Sequence, residues 1–126
     1  MKLHADKLDT QSITAYGEDW IAVNGRRHTH SLVLAPSGQL IDWSCTRFEN
    51  LTTAHFSMLV GVMPEAPELV IFGSGSRLRF PRPVLLSSLI DQRIGVETMD
   101  TAAACRTYNI LASEGRRVVA ALLIET

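Results

Sequence analysis

The sequence predicts one α/β domain in which helices lie on the faces of a mixed β-sheet and a β meander precedes them. Short apolar runs separated by turn residues occupy the first third of the 126-residue chain, which is typical of a meander. Helical and strand patterns alternate through the rest, and such alternation favours right-handed crossovers and a parallel or mixed sheet. The length suits one domain over residues 1–126, and no linker or repeat interrupts it.

The meander is predicted from four short strand patterns and the turns between them. The strands are expected at 12–16, 20–23, 30–34 and 39–43. Asn24-Gly25 is a strong hairpin signal because both residue types tolerate positive φ. Pro36-Ser37-Gly38 marks another turn, so this part of the chain should pack beside the main sheet or extend it.

Three helix–strand pairs are predicted in the remaining two thirds. The helices are expected from Leu51-Thr52 to about Val62, over Pro83–Asp91 and over Thr101–Ser113, and the strands over Glu68–Phe72, Gly95–Met99 and Arg117–Ile124. Thr52 and Asp100 are residue types that cap helix N-termini. Pro83 suits a first helical position, and Gly115 suits a helix end.

The charge balance argues against a nucleic-acid-binding protein. The formal net charge is -1 and the pI is about 6.4, so no general basic field attracts phosphates. Ten of the twelve basic residues are arginines, whose planar fork suits carboxylates and phosphates. Binding of an anion at one local site is therefore left open.

The cysteines and the chain start predict a cytoplasmic protein. Cys45 and Cys105 form no CxxC pair, which is typical of a reducing compartment. The segment Met1–Thr10 is polar rather than signal-like, and no apolar run approaches the roughly 20 residues of a membrane span. Peripheral association with a membrane stays open.

A candidate ligand site follows two of the predicted strands. Gly73-Ser74-Gly75-Ser76 comes directly after a buried strand, where backbone N–H groups can form an anion-binding nest, and Arg77 follows at once. Asp100-Thr101 follows the next strand. If these strands are parallel, both loops lie at the sheet edge where open α/β sheets bind ligands. The predicted ligand-binding residues are Gly73, Ser74, Gly75, Ser76, Arg77, Asp100 and Thr101.

Each part of this site also has a purely structural explanation. The glycine turn lets the chain leave the sheet, and Gly75 is expected to need a positive φ. Asp100 is explained by helix capping alone. The segment lacks the third glycine of a dinucleotide fingerprint and the Gly-Lys-Ser/Thr of a P-loop, so no nucleotide cofactor is predicted.

No complete catalytic or metal-binding pattern is present. Cys105 lies on the apolar face of the last helix, where a core role is expected. His28 and His30 form an H-x-H pair, but zinc needs at least a third ligand and none is readable from the spacing. No catalytic residue, metal ligand or cofactor is therefore predicted, and an enzyme is not expected.

One family resemblance covers nearly the whole chain. It rests on an ordered set of motifs: Leu69-Val70-Ile71-Phe72-Gly73-Ser74-Gly75, Pro81 with Leu85, Gly95-Val96-Glu97, Met99-Asp100-Thr101, Ala103, Tyr108-Asn109, Leu111, Glu114-Gly115-Arg116, Val118 and Ala120-Ala121, with Ile41-Asp42-Trp43 before them. In these motifs the chain resembles the domain-of-unknown-function 498 family, which includes the mitochondrial complex I assembly factor 3.

The resemblance implies both a fold and a role. The fold would be a three-layer α/β structure with a mixed sheet and an extra β layer. No enzyme activity is established for the family. Its mitochondrial members help to build respiratory complex I together with another assembly factor at the inner membrane. Because this chain lacks their leading transit segment, it looks like a bacterial, cytoplasmic member of the family. The resemblance thus predicts a non-catalytic accessory protein whose partners are respiratory-complex subunits or another assembly factor. The alternative is a protein that binds a small molecule or anion at the Gly73–Arg77 loop and the Asp100 helix start.

Overall fold

The computed structural model describes residues 11–126, which form two β-sheets and three α-helices. The strands are β1 (Ile13–Tyr16), β2 (Ile21–Val23), β3 (Arg26–His28), β4 (Leu32–Leu34), β5 (Leu40–Asp42), β6 (Leu69–Gly73), β7 (Gly95–Met99) and β8 (Val118–Leu122). The α-helices are α1 (Thr53–Ser57), α2 (Ser87–Asp91) and α3 (Thr101–Ser113), and 3₁₀ turns lie at Phe48–Asn50, Met58–Gly61 and Pro83–Leu86. The polar start Met1–Thr10 lies outside the described residues, so the predictions that rest on it, including the bounds of the domain, stay predictions.

The main sheet has five strands and is mixed. Its order is β5-β4-β8-β6-β7, with β6 parallel to both β7 and β8. β4 runs antiparallel to β8 and to β5. Ile71 of β6 lies opposite Glu97 on one side and Ala120 on the other. The carboxyl ends of β6, β7 and β8 therefore meet at one edge, as the sequence predicted for the first two.

The predicted meander divides between the two sheets. β1, β2 and β3 form a separate antiparallel sheet, whereas β4 and β5 extend the main one. The strand expected at 30–34 is shorter than predicted, and β3 was not predicted at all. Asn24 (φ 51°) and Gly25 (φ 85°) form a two-residue turn, so pairing resumes at once with Arg26 opposite Val23. β3 consists of polar residues, whereas strands are predicted from apolar or β-branched ones, so its sequence carries no strand signal.

Alternate residues of the main strands pack into two cores, one on each face of the sheet. Val70, Phe72, Val119 and Ala121 face the layer of α1 and α2, where they meet Phe56 and Leu89. Ile71, Val118, Ala120 and Leu122 face the layer of α3 and the small sheet, where they meet Tyr108 and Ile21. The molecule thus has three layers, which confirms the predicted fold class.

The helices differ in how well the sequence predicted them. α3 has its predicted bounds: the Asp100 carboxylate accepts a hydrogen bond from the Ala103 N–H at 2.8 Å, and Gly115 follows at φ 79°. The segments predicted as single helices at 51–62 and 83–91 each combine one short α-helix with a 3₁₀ turn. Short helices commonly tighten at their ends because i→i+3 bonds satisfy terminal carbonyls. Within residues 11–126, no helix is long and apolar enough to cross a membrane.

Candidate functional site

Two adjoining cavities open at the carboxyl edge of the main sheet. Their volumes are about 250 Å³ and 230 Å³, and both are lined by Gly75, Ser76 and Thr101. Asp100 lines the larger one. Four of the seven residues predicted for the ligand site therefore surround a shared space, as expected from parallel β6 and β7.

The other three predicted residues lie outside these linings. Gly73 and Ser74 are buried beneath the cavities. A Cβ atom on Gly73 would lie 3.0 Å from the Thr101 Cα and 3.1 Å from the Ala104 Cβ, so this glycine allows α3 to pack closely on β6. Arg77 is exposed. Within residues 11–126 no cavity with a described lining includes it.

Two backbone N–H groups of the loop, those of Ser74 and Gly75, donate to acceptors within the protein. Ser74 N–H donates to the Met99 carbonyl at 2.8 Å, and Gly75 N–H donates to Thr101 Oγ1 at 2.9 Å. Thr101 N–H donates to the Gly75 carbonyl, and Thr101 Oγ1 donates to the Leu123 carbonyl, both at 2.8 Å. These bonds join the loop to the ends of β7 and β8. The anion nest predicted here stays a prediction, with the Ser74 and Gly75 amides already engaged.

The Ser74 side chain is equally engaged. Its hydroxyl donates to the Arg77 carbonyl at 2.7 Å and accepts from the Arg79 N–H at 3.0 Å. Buried polar groups need such partners, because an unpaired one costs about 1–3 kcal/mol. The Ser74 side chain therefore stabilises the turn through hydrogen bonds to the backbone of Arg77 and Arg79.

The sequence did not reveal an ion pair that lies at this edge of the sheet. Arg79 Nη2 lies 2.6 Å from Glu125 Oε1 and also donates to the Ser74 carbonyl at 2.6 Å. The two side chains are only 17% and 28% exposed. The guanidinium lies over the Phe48 ring at 4.7 Å from its centroid, and Phe48 N–H donates to Glu125 Oε2 at 2.8 Å. The pair thus connects the loop after β6, the end of β8 and the 3₁₀ turn at Phe48.

Carboxylates dominate the linings of the two cavities. Glu18 and Asp19, in the bend between β1 and β2, join Asp100 and Glu125, and the described lining residues include no Arg, Lys or His. Burial acts to raise the pKa of Glu125, but hydrogen bonds from Arg79 and the Phe48 amide outweigh it and lower that pKa. The lining therefore favours a positively charged group over an anion.

Neither cysteine is placed to act as a nucleophile. Cys105 is fully buried against the sheet, as predicted, and burial raises the pKa of its thiol to about 12. Cys45 is also buried, and burial raises its pKa. The thiolate is the reactive form, so both thiols are held in the unreactive state at neutral pH.

The H-x-H histidines do not build a metal site in the described part of the chain. β3 ends at His28, and His30 lies in the bend beyond it, so the pair does not share one strand. Among residues 11–126, no three His, Cys, Asp or Glu side chains are grouped as metal ligands. His4 lies outside the described residues.

A further groove, which the sequence did not predict, lies at the opposite edge of the sheet. It encloses about 330 Å³ between Pro36, Met63, Pro64 and the start of β8 at Arg116 and Arg117. The Arg116 guanidinium is bound to the Glu68 carboxylate at 2.8 Å, which lowers the pKa of Glu68. The charge of Arg116 in this groove is therefore already neutralised by Glu68.

Comparison with known proteins identifies the family. The model of a protein family of unknown function, DUF498/DUF598, matches residues 13–123. The chain belongs to this family. The family members compared include NADH dehydrogenase [ubiquinone] 1 alpha subcomplex assembly factor 3 of Bos taurus, which is 32% identical over 111 residues. That match covers 88% of the chain but only 59% of the bovine protein, so the chain spans about three fifths of that relative's length.

Solved structures of bacterial family relatives share the fold. A crystal structure of a Bordetella parapertussis protein superposes with a TM-score of 0.86 at 40% identity, covering 92% of this chain and 97% of the other. The solution structure of a Bordetella pertussis protein, described as an Mth938-like domain, gives a TM-score of 0.80 at 36% identity and covers 99% and 93%. The DUF498/DUF598 fold and the family resemblance predicted from the sequence are thus both confirmed.

Proposed function

We propose that this chain is a non-catalytic accessory protein for the assembly of respiratory complex I, the NADH–quinone oxidoreductase. The observation that carries the proposal is the 32% identity to a bovine protein named as an assembly factor of NADH dehydrogenase. The proposal includes a location in the bacterial cytoplasm. Its partners would be subunits of the complex or a second assembly factor.

The geometry of the carboxyl edge supports an accessory role. Ser74, Gly75 and Thr101 direct their polar atoms to one another and to neighbouring strands. Active sites at this edge instead aim backbone donors and side chains at a ligand. Both thiols are buried with raised pKa values, so neither supports covalent catalysis.

Deletion of the gene in its native bacterium tests the proposal. We expect less assembled complex I on native gels and a matching loss of NADH–quinone reductase activity in isolated membranes, while succinate oxidation serves as the control. Expression of the wild-type chain should restore both. Unchanged complex I content and activity in the deletion strain would reject the assembly role.

A second candidate function is the binding of a small molecule in the two cavities. The observation that favours it is their position at the edge where open α/β sheets bind ligands, together with the carboxylates around them. Amide NMR spectra titrated with spermidine, and separately with inorganic phosphate, test it. Saturable shifts at Gly75, Ser76 and Thr101 that disappear in a Ser76→Trp variant would support a site. Spectra unchanged by either probe would count against it.

A further inference from the structure

The segment after the loop presents an exposed surface with apolar and cationic side chains. Phe80 is 69% exposed, Val84 61% and Leu78 51%. Arg77 and Arg82 are exposed on either side of Leu78 and Phe80. These five residues, Arg77, Leu78, Phe80, Arg82 and Val84, are called the ridge below. A phenylalanine left this open to water is a strong candidate for burial against a partner, since large aromatic side chains dominate interface energies.

The backbone beneath the ridge is fixed before any partner binds. From Leu78 to Arg82 exposed residues alternate with more buried ones, and the more buried ones are Arg79 and Pro81. Arg79 is held by Glu125, by the Ser74 carbonyl and by the Phe48 ring. Pro81 is buried, and its ring restricts φ. Binding of a partner would therefore cost little conformational entropy, because this segment is already ordered.

The two outer arginines, Arg77 and Arg82, are exposed to solvent and available to an acidic partner. Within residues 11–126, neither Arg77 nor Arg82 makes an ion pair or a side-chain hydrogen bond, whereas Arg79 between them is neutralised by Glu125. A guanidinium presents a planar fork of donors that matches a carboxylate. Along the chain the ridge thus offers Leu78 and Phe80 between two sites for acidic groups, with Val84 beyond Arg82.

We propose that the ridge docks a partner protein through a segment in which carboxylates flank apolar side chains. The proposal rests on the accessory role proposed above, because a protein of that kind acts through partner contacts. Arg and Phe are enriched in protein interfaces, whereas Lys is depleted, and the ridge carries the first two without the third. Pro81 and Pro83 lack N–H donors, so the partner is recognised by side chains rather than by addition of a strand.

Two other occupants fit the ridge less well. Anionic membrane surfaces are recognised by clusters of about 4–8 basic residues. The ridge supplies two, on a chain of net charge -1. A second copy docked ridge to ridge through a two-fold axis would bring Arg77 and Arg82 of one copy near those of the other, and like charges oppose that contact.

Photo-crosslinking in the native cell tests the proposal. The full chain carries p-benzoylphenylalanine in place of Phe80, and a control chain carries it in place of Ile110, which is 58% exposed on α3. We expect a protein adduct from position 80 only, with the crosslinked partner peptide containing Asp or Glu beside apolar residues. Adding Arg82→Glu should lower the adduct yield by about tenfold or more, because it places like charges opposite each other across the interface. An acidic-to-Arg change in the partner peptide should restore it.

Several results would overturn the docking proposal. These are no adduct from position 80, equal adducts from positions 80 and 110, an adduct insensitive to Arg82→Glu, or an adduct with a second copy of the chain. Binding to phosphatidylglycerol vesicles that a Phe80→Ser variant loses, with lipid as the adduct in cells, would assign the ridge to the membrane instead. Both variants change exposed side chains and should unfold in urea within about 0.5 kcal/mol of wild type, so a lost adduct reports docking rather than misfolding.

The docking proposal and the assembly proposal can fail separately. If deletion leaves complex I intact while the Arg82-dependent adduct forms, the ridge docks a partner outside complex I and only the assembly role is rejected. If deletion depletes complex I while position 80 gives no adduct, the assembly role stands and the ridge is rejected as its docking surface.

Discussion

Gly75 is the position where one added methyl group should most disturb the carboxyl edge. Its φ is 105°, in a region that L-residues rarely adopt. A Cβ atom there would lie 2.5 Å from Arg79 Nη2 and 3.2 Å from Glu125 Oε1. A Gly75→Ala change therefore strains the backbone and also pushes into the partly buried ion pair.

The expected loss of folding stability has two parts, which are backbone strain at residue 75 and weakening of the Arg79–Glu125 ion pair. Holding alanine at such a φ costs roughly 1–2 kcal/mol. The guanidinium must move to make room, which weakens its hydrogen bonds to Glu125 and to the Ser74 carbonyl. Hydrogen bonds to charged groups contribute about 1.5–3 kcal/mol each, and a partial loss is expected because the arginine side chain can shift. We therefore expect Gly75→Ala to lower the free energy of unfolding by about 2–4 kcal/mol.

Urea unfolding followed by circular dichroism measures this change, with the midpoint compared at a shared m-value. Gly61→Ala is the matched control, because Gly61 has no positive φ and a Cβ there would meet no heavy atom within 4 Å. That variant should match wild type or gain up to about 1 kcal/mol through the unfolded state. A Gly75→Ala protein within about 0.5 kcal/mol of wild type would refute this account of the loop.

A double-mutant cycle separates the strain from the collision. In an Arg79→Ala background the guanidinium that the new methyl would strike is absent, and the Glu125 side chain, 3.2 Å from the new Cβ, is released from its ion pair and can move by a few tenths of an ångström. Gly75→Ala should then cost only the roughly 1–2 kcal/mol of backbone strain. Arg79→Ala alone should cost about 1–3 kcal/mol, since it removes charged hydrogen bonds at a partly buried site. If Gly75→Ala lowers the free energy of unfolding equally in both backgrounds, the methyl group does not displace Arg79.

Three further predictions concern single residues. Burial raises the pKa of Glu125 less than hydrogen bonds from Arg79 and Phe48 lower it, so its stabilisation is fully present above the unfolded pKa near 4.5 and is lost as pH falls through the lowered folded pKa. Glu125→Gln should therefore reduce stability at neutral pH and flatten the acid limb of a stability–pH curve, whereas an unchanged limb would contradict the shift. Arg77→Ala should unfold within about 0.5 kcal/mol of wild type, because its side chain is exposed and makes no ion pair with residues 11–126. A larger loss of stability in urea would show that this side chain makes a stabilising contact. Cys105 should resist iodoacetamide in the native protein and react in urea, as read by mass spectrometry, and rapid native labelling would contradict its burial.

The parts of the fold that the sequence predicted well have strong local signals. β6 reads as a buried apolar run, and α3 lies between the N-cap Asp100 and the terminating Gly115. Parallel pairing of β6 with β7 followed from the helix between them. The juxtaposition of the loop with the start of α3 needed only this topology, and four of the seven predicted residues do share the cavities.

The parts that the sequence did not predict depend on contacts between distant residues. Arg79 and Glu125 are 46 positions apart, and no local pattern relates them. β3 is polar because it is an edge strand with exposed Arg26 and Arg27, so it lacks the apolar signal of a core strand. The division of the meander depends on β4 pairing with β8, almost ninety residues later in the chain. Only tertiary packing decides such pairings.

The orientation of the backbone amides and side chains in the loop after β6 helps to decide between the two proposed functions. A ligand-binding loop at this edge leaves backbone donors free to meet its ligand. Here Ser74 and Gly75 donate inward, and Arg79 bridges the Ser74 carbonyl and the Glu125 carboxylate beside them. Phe80 and its exposed neighbours, by contrast, have no partner in the described part of the chain. The same ion pair holds Arg79 between the exposed side chains of the ridge, so the structure favours recognition by those side chains over recognition by the Ser74 and Gly75 amides.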